Sequence, residues 1–154
     1  MTDIHRSALR YTADITAEDI DGLAGFIGRR IVVLREGAGV PGGEEERVGA
    51  ALSQTVAALT VSAQEVLGAL ARVAEAAAQA EPESAAEGDA QARPVGDAVE
   101  ELMVRLSTLW RYLLTAAEAW SHLPDYDVAR WRLDGHLDAA HEARDRWLAA
   151  GEVW

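Results

Sequence analysis

Thr16-Ala17-Glu18-Asp19-Ile20-Asp21-Gly22-Leu23-Ala24-Gly25-Phe26-Ile27-Gly28-Arg29-Arg30-Ile31-Val32-Val33-Leu34-Arg35-Glu36-Gly37 can be taken two ways, and the two give different folds. Its end, Ile31-Val32-Val33-Leu34, has the composition of a buried strand, and Gly37-x-Gly39-x-x-Gly42 behind it has the glycine spacing of a dinucleotide-binding loop. Taken whole, however, Ile20, Leu23, Ile27, Ile31 and Leu34 are separated by 3, 4, 4 and 3 positions, which is one face of a helix. Thr16 followed by Asp19 is an N-cap ahead of first-turn acids that suit the helix dipole. Arg35 and Glu36 separate the apolar run from the first glycine, and no period-two pattern elsewhere supplies further strands. The run is therefore read as a helix to about Glu36, stopped by a left-handed Gly37.

The rest of the chain agrees with a helical reading. Ala supplies 31 of the 154 residues, and Ala is the best helix former. Behind the loop Gly37–Gly43, Glu44, Glu45 and Glu46 open a second helix. In it Val48, Leu52, Val56, Leu59, Ala63, Val66, Leu70, Val73 and Ala77 recur at threes and fours to about residue 80. Residues 81–94 hold no large apolar side chain and are read as a flexible acidic loop. Pro94 and Asp97 then launch a third helix. Its two stripes, Val99-Leu102-Leu106-Leu109-Leu113 and Met103-Trp110-Ala117, imply two packing partners and a central position. Leu123-Pro124 breaks it. Asp125 or Asp127 is expected to cap a fourth helix, with Leu133, Leu137, Ala140, Arg144 and Trp147 on one side, as far as Gly151. Ile4, Ala8, Tyr11 and Ile15 suggest a short extra N-terminal helix. The expectation is one all-α domain over residues 1–154, an up-down antiparallel bundle of four main helices. The second helix outruns its neighbours, and its overhang asks for a cover, either the N-terminal segment or a second chain.

Composition narrows the chemistry. The chain has no Cys, no Lys and no Asn. Thiolate nucleophiles, Cys-ligated metals, Schiff bases and the Walker lysine are therefore excluded. The net charge is −12, and all 14 basic residues are Arg, which with the Ala excess suggests a GC-rich, bacterial gene. No basic cluster is longer than Arg29-Arg30, so neither nucleic acid nor an anionic membrane is an expected partner. The start lacks the build of a signal peptide, and no uninterrupted apolar run approaches about 18 residues, so the expected location is cytoplasmic.

Four constellations invite a functional reading. Glu118 with His122, and Asp138 with His141, are helix-spaced, but no Glu-x-x-His motif is present and His136 and His141 fall on different sides of a helix. No metal and no cofactor is expected; helix-spaced charges on a solvated face account for Asp134, Asp138, Glu142 and Arg146. Arg130 and His136 are similar to the Arg-x(4–6)-His pair of the HEPN superfamily, helical ribonucleases that cut RNA as dimers. The similarity covers only this short run, and Trp131 stands where that family commonly has a polar residue. It implies a helical ribonuclease with Arg130 and His136 as its catalytic pair.

The aromatic distribution carries most weight. Trp110, Trp120, Trp131, Trp147 and Trp154 all lie in the last third, interleaved with Arg111, Arg130, Arg132, Arg144 and Arg146. Three readings stay open: a packed core end, a contact surface built from interface-favoured residue types, or an enclosed pocket. The favoured expectation is a non-enzymatic interaction or regulatory module, forming a homodimer or binding a partner protein. Its contact residues would be Trp110, Trp120, Trp131, Trp147, Trp154, Arg130 and Arg132. The second is a bundle holding a small apolar or planar ligand among the Trp residues. A ribonuclease or metal-dependent enzyme comes third.

Overall fold

The computed structural model describes residues 9–39, 41–80, 85–131 and 138–151. It is all-α. Among the described residues there are four α-helices, α1 (Ala17–Gly37), α2 (Glu44–Gln79), α3 (Ala85–Ala117) and α4 (Ala140–Gly151), and no strand. Single 3₁₀ turns lie at Thr12–Asp14 and Glu118–Trp120.

The strand reading of Ile31–Leu34 is excluded because all four residues lie inside α1. The helix begins at the expected cap: the Asp19 amide donates to Thr16 Oγ1, and the Thr16 amide donates to the Asp19 carboxylate. Its end differs from expectation. Gly37 is still helical, Ala38 is the extended C-cap, and Gly42, at φ 77°, holds the one left-handed conformation among the described residues.

α2 spans about 54 Å at 1.5 Å per residue, and α1 about 31 Å. Gly49 of α2 lies against Arg35 and Ile31, while Gln64 donates to Asp21. The end of α1 thus meets the start of α2, and the start of α1 meets its middle. Buried on α2 are Gly49, Val56, Ala63, Val66 and Leu70, whereas Val48 is 61% exposed and Ala77 is exposed. The expected stripe holds in the middle and drifts off at both ends.

Two boundaries require correction. α3 starts at Ala85, so 85–94 of the expected acidic loop are helical and Pro94 lies inside the helix. Lack of large apolar residues removes a reason to be buried, but Ala, Glu, Gln and Arg remain strong helix formers. The fourth helix is short. Residues 121–131 form successive tight turns, Asp138 and Ala139 are not helical, and α4 begins at Ala140. Asp127 does cap a turn, accepting from the Ala129 and Arg130 amides, but this turn does not extend to α4. Leu133 and Leu137 lie outside the described residues. So do Ile4 and Ala8, and residues 9–15 contain a 3₁₀ turn in place of the expected N-terminal helix.

One core joins these elements. Ile20, Leu23, Phe26, Ile27 and Ile31 of α1 and Val56, Ala63, Val66 and Leu70 of α2 meet Val99, Met103, Leu106, Trp110, Leu113, Leu114 and Ala117 of α3. α3 touches all three other helices, as its double stripe implied.

Two glycines test the packing. Gly28 in α1 has open space where a Cβ would stand, so Gly28→Ala is expected to stabilise by about 0.5–1 kcal/mol through helix propensity. At Gly49 a Cβ would lie 2.8 Å from Arg35 Cγ, and Gly49→Ala is expected to be neutral or destabilising. Urea unfolding of both variants measures the contrast.

Candidate functional site

The side chain of Asp19, on the first turn of α1, accepts four hydrogen bonds from Thr16 and Arg130. Its Oδ2 accepts from the Thr16 amide (2.9 Å) and the Thr16 hydroxyl (2.8 Å), and its Oδ1 accepts from Arg130 Nε (2.8 Å). Arg130 Nη2 completes a two-point grip on Oδ2 and also reaches the Asp14 carbonyl at 3.2 Å. Both partners are interior, with side-chain exposures of 2% for Asp19 and 10% for Arg130. Burial alone would raise the Asp19 carboxyl, yet the Arg130 and Thr16 hydrogen bonds outweigh it and hold the group below its ordinary value. The Asp19 hydrogen bond raises the Arg130 guanidinium against the effect of its burial.

Beside this pair three rings touch one another. Phe26, Tyr126 and Trp131 have centroids 5.4–5.5 Å apart, with Tyr126 edge-on to both of the others. The Tyr126 hydroxyl donates to the Trp131 carbonyl, and burial followed by the Glu118 charge raises its phenol above the usual range. Arg30 lies 5.0 Å over Phe26 and, with Arg29, pairs with Asp125. Residues 125–131 are thus fastened to α1 by ions, rings and hydrogen bonds together.

The sequence candidates divide accordingly. Trp110 (1% exposed), Trp131 (8%) and Arg130 (8%) are interior, so they take the packed-core reading and cannot act as surface anchors in this conformation. The Trp110 Nε1 and Thr12 Oγ1 atoms are buried with no hydrogen-bond partner. Trp120 and Trp147 are half-buried against the core. Trp154, Arg132 and His136 lie outside the described residues. Arg130 is already gripped by a carboxylate, which leaves its guanidinium little capacity to grip a phosphate as the ribonuclease similarity implied.

Asp138 is not on a solvated face. Its side chain is 3% exposed, accepts from the Thr12 amide at 2.9 Å and takes the Arg146 Nε at 3.1 Å. The Arg146 guanidinium lies 3.6 Å over Tyr11. Arg144 ties α4 to α3 through Glu100 at 2.7 Å. His122 and His141 are exposed, and no group of three metal-ligating side chains converges among the described residues.

An apolar cavity of about 260 Å³ lies between α2, α3 and α4, lined by Ile15, Leu67, Leu70, Met103, Leu106 and Trp147, with three alanines. It falls below the roughly 300 Å³ at which ligand pockets usually begin, and no lining residue is polar. Of the expected Trp pocket, only Trp147 reaches it.

Large exposed apolar side chains occur at Val61, Val104, Tyr112 and Val128, and four more lie at the opposite end of α1. Val32 (51%), Val33 (61%) and Leu34 (53%) on α1 and Val48 (61%) on α2 are all more than half exposed. Leu34 was expected on the buried face. Four consecutive branched aliphatics, Ile31–Leu34, spread around most of a helix circumference, so only some can face the core, and Ile31 does (2%). That spread is the signal in the sequence for this surface. α2 also holds an 18-residue window of mean hydropathy 1.3, long and apolar enough by composition to cross a membrane, with 22% of it buried. Ser, Thr and Gln interrupt it without lowering the average below that level, which is why no unbroken apolar run was visible.

Compared with protein-family models, with curated proteins and with solved structures, the chain matches none.

Asp19→Asn is expected to cost about 3 kcal/mol at neutral pH, because it leaves the buried Arg130 charge uncompensated. The folded Asp19 is held below its ordinary 3.8, so its contribution is fully present above that pH and is lost as the solution is acidified through the lower, folded value. Urea titrations from pH 7 to pH 2 should show the gap between wild type and Asp19→Asn steady above pH 5 and closing below about pH 4.

Proposed function

We propose that the chain is a non-enzymatic helical interaction module, arranged as an up-down antiparallel bundle, whose contact surface is the α1–α2 end. The observation that carries this reading is the group Val32, Val33, Leu34 and Val48, four branched aliphatics each more than half exposed on one hairpin end. Scattered apolar residues on a surface are ordinary, but three in succession at one helix end with a fourth at the start of the next helix favour contact. The expected contact region, the Trp- and Arg-rich last third, is replaced because its Trp110, Trp131 and Arg130 serve the interior. The absence of Cys and Lys and the engagement of Arg130 by Asp19 support the non-enzymatic part of the reading.

A photoreactive amino acid placed at position 33 tests it in cells producing the protein. Irradiation is expected to give a protein adduct from position 33 and none from the exposed Ala58 position of α2. No adduct from position 33 would remove the reading.

A further inference from the structure

We propose that the cavity between α2, α3 and α4 is a binding site for a small neutral, apolar molecule of one ring or two fused rings. The site is separate from the α1–α2 surface and does not depend on it. Its floor is Ile15, Leu70, Met103 and Leu106, all buried. Its mouth is on the α2 side, where Ala71 and Ala74 line it and are themselves exposed. Leu67, Leu70, Ala71 and Ala74 follow one another at steps of 3, 1 and 3, so they share one face of α2. The two alanines offer only a methyl group each, and a leucine at either place would occupy part of the void. Trp147 of α4 supplies the aromatic wall.

Contacts elsewhere hold the void open. Arg144 ties α4 to Glu100 of α3 at 2.7 Å. Asp138, just ahead of α4, accepts the Thr12 amide at 2.9 Å, and Arg146 covers Tyr11. These ties set where Trp147 stands, and closing the void by moving α4 onto α2 would strain them. Apolar volume left empty forfeits dispersion contacts, and a guest that fills it regains them. The walls restrict which guest that is. No lining side chain carries a charge, and the Trp147 indole N–H is the one donor among them. A charged or strongly polar group inside would therefore lose its water without finding a partner. Size follows from volume: an apolar cavity of about 150 Å³ suffices for benzene, so one of about 260 Å³ admits a substituted ring or two fused rings, below the size of most ligand pockets.

The chain has two methionines, so Met103, on the floor, has only one other signal to be told from in a carbon–proton spectrum of protein labelled at the methionine methyls. Titration of the purified chain with toluene should shift the Met103 methyl saturably, with a Kd of about 0.1–1 mM. Benzoate, similar in shape but charged, should leave it unmoved over the same range. Ala71→Leu combined with Ala74→Leu should weaken toluene binding about tenfold or more by filling the void. Ala58→Leu, on α2 but not in the cavity wall, should leave binding unchanged. Circular dichroism checks that the variants are folded, and the comparison of toluene with benzoate on the wild type stands without them. A Met103 methyl indifferent to about 5 mM toluene, an equal response to benzoate, or toluene binding that survives the double substitution in folded protein would overturn the proposal.

Discussion

The Asp19 carboxylate performs two tasks that usually fall to separate residues. Through Thr16 it closes the N-terminal cap of α1, and through Arg130 it fixes a segment 111 positions away against that same turn. Desolvating an ion pair offsets much of its attraction, so a buried pair adds little net stability over a well-packed apolar alternative. What it adds is position. An Arg130 displaced from Asp19 would be a buried charge without a counterion, and a carboxylate without Arg130 would lose half its hydrogen bonds. The placement of residues 125–131 on α1 satisfies both, and in it Phe26, Tyr126 and Trp131 pack as a mutually touching trio.

The same device recurs one segment earlier. Asp138 accepts the Thr12 amide, Arg146 covers Tyr11, and the Leu9 amide donates to the Ala129 carbonyl. The short run 9–16 buries Leu9 and Ile15 in the core and is held besides by groups from the last third of the sequence. Arg130, Trp131 and Arg146 of that third serve this purpose. They close the chain on itself near the start of α1, where a helix end and a series of tight turns expose many backbone groups that need partners. With Trp110, Tyr126 and Trp131 turned inward, part of the outward-facing apolar surface lies at the far end of α1, at Val32, Val33 and Leu34.

Local chemistry was legible in the sequence, and distant pairing was not. The Thr16–Asp19 cap, the Ile20–Ile31 face and the double stripe of α3 follow from rules that operate within one or two helical turns. The grip of Arg130 on Asp19 has no sequence signature, because an Arg beside Trp and Leu reads equally as an interface anchor, a catalytic cation or a core ion. Pro94 was read as a helix start since proline is favoured in a first turn, whereas the Ala-rich residues before it supply enough propensity to begin at Ala85. The fourth helix was extended too far for a related reason. Asp127 is a good cap, but a cap specifies where a turn begins and not how far it runs.

The measurement closest to the centre of this account is a double-mutant cycle on Asp19 and Arg130, read by urea unfolding of Asp19→Ala, Arg130→Ala and the double variant. A clamp in which each residue is costly to leave alone predicts strong coupling, with the double variant more stable than the sum of the single losses by about 2 kcal/mol or more. Single effects that add within about 0.5 kcal/mol would mean that the two residues act independently, and the placement of the last third on α1 would then require another cause.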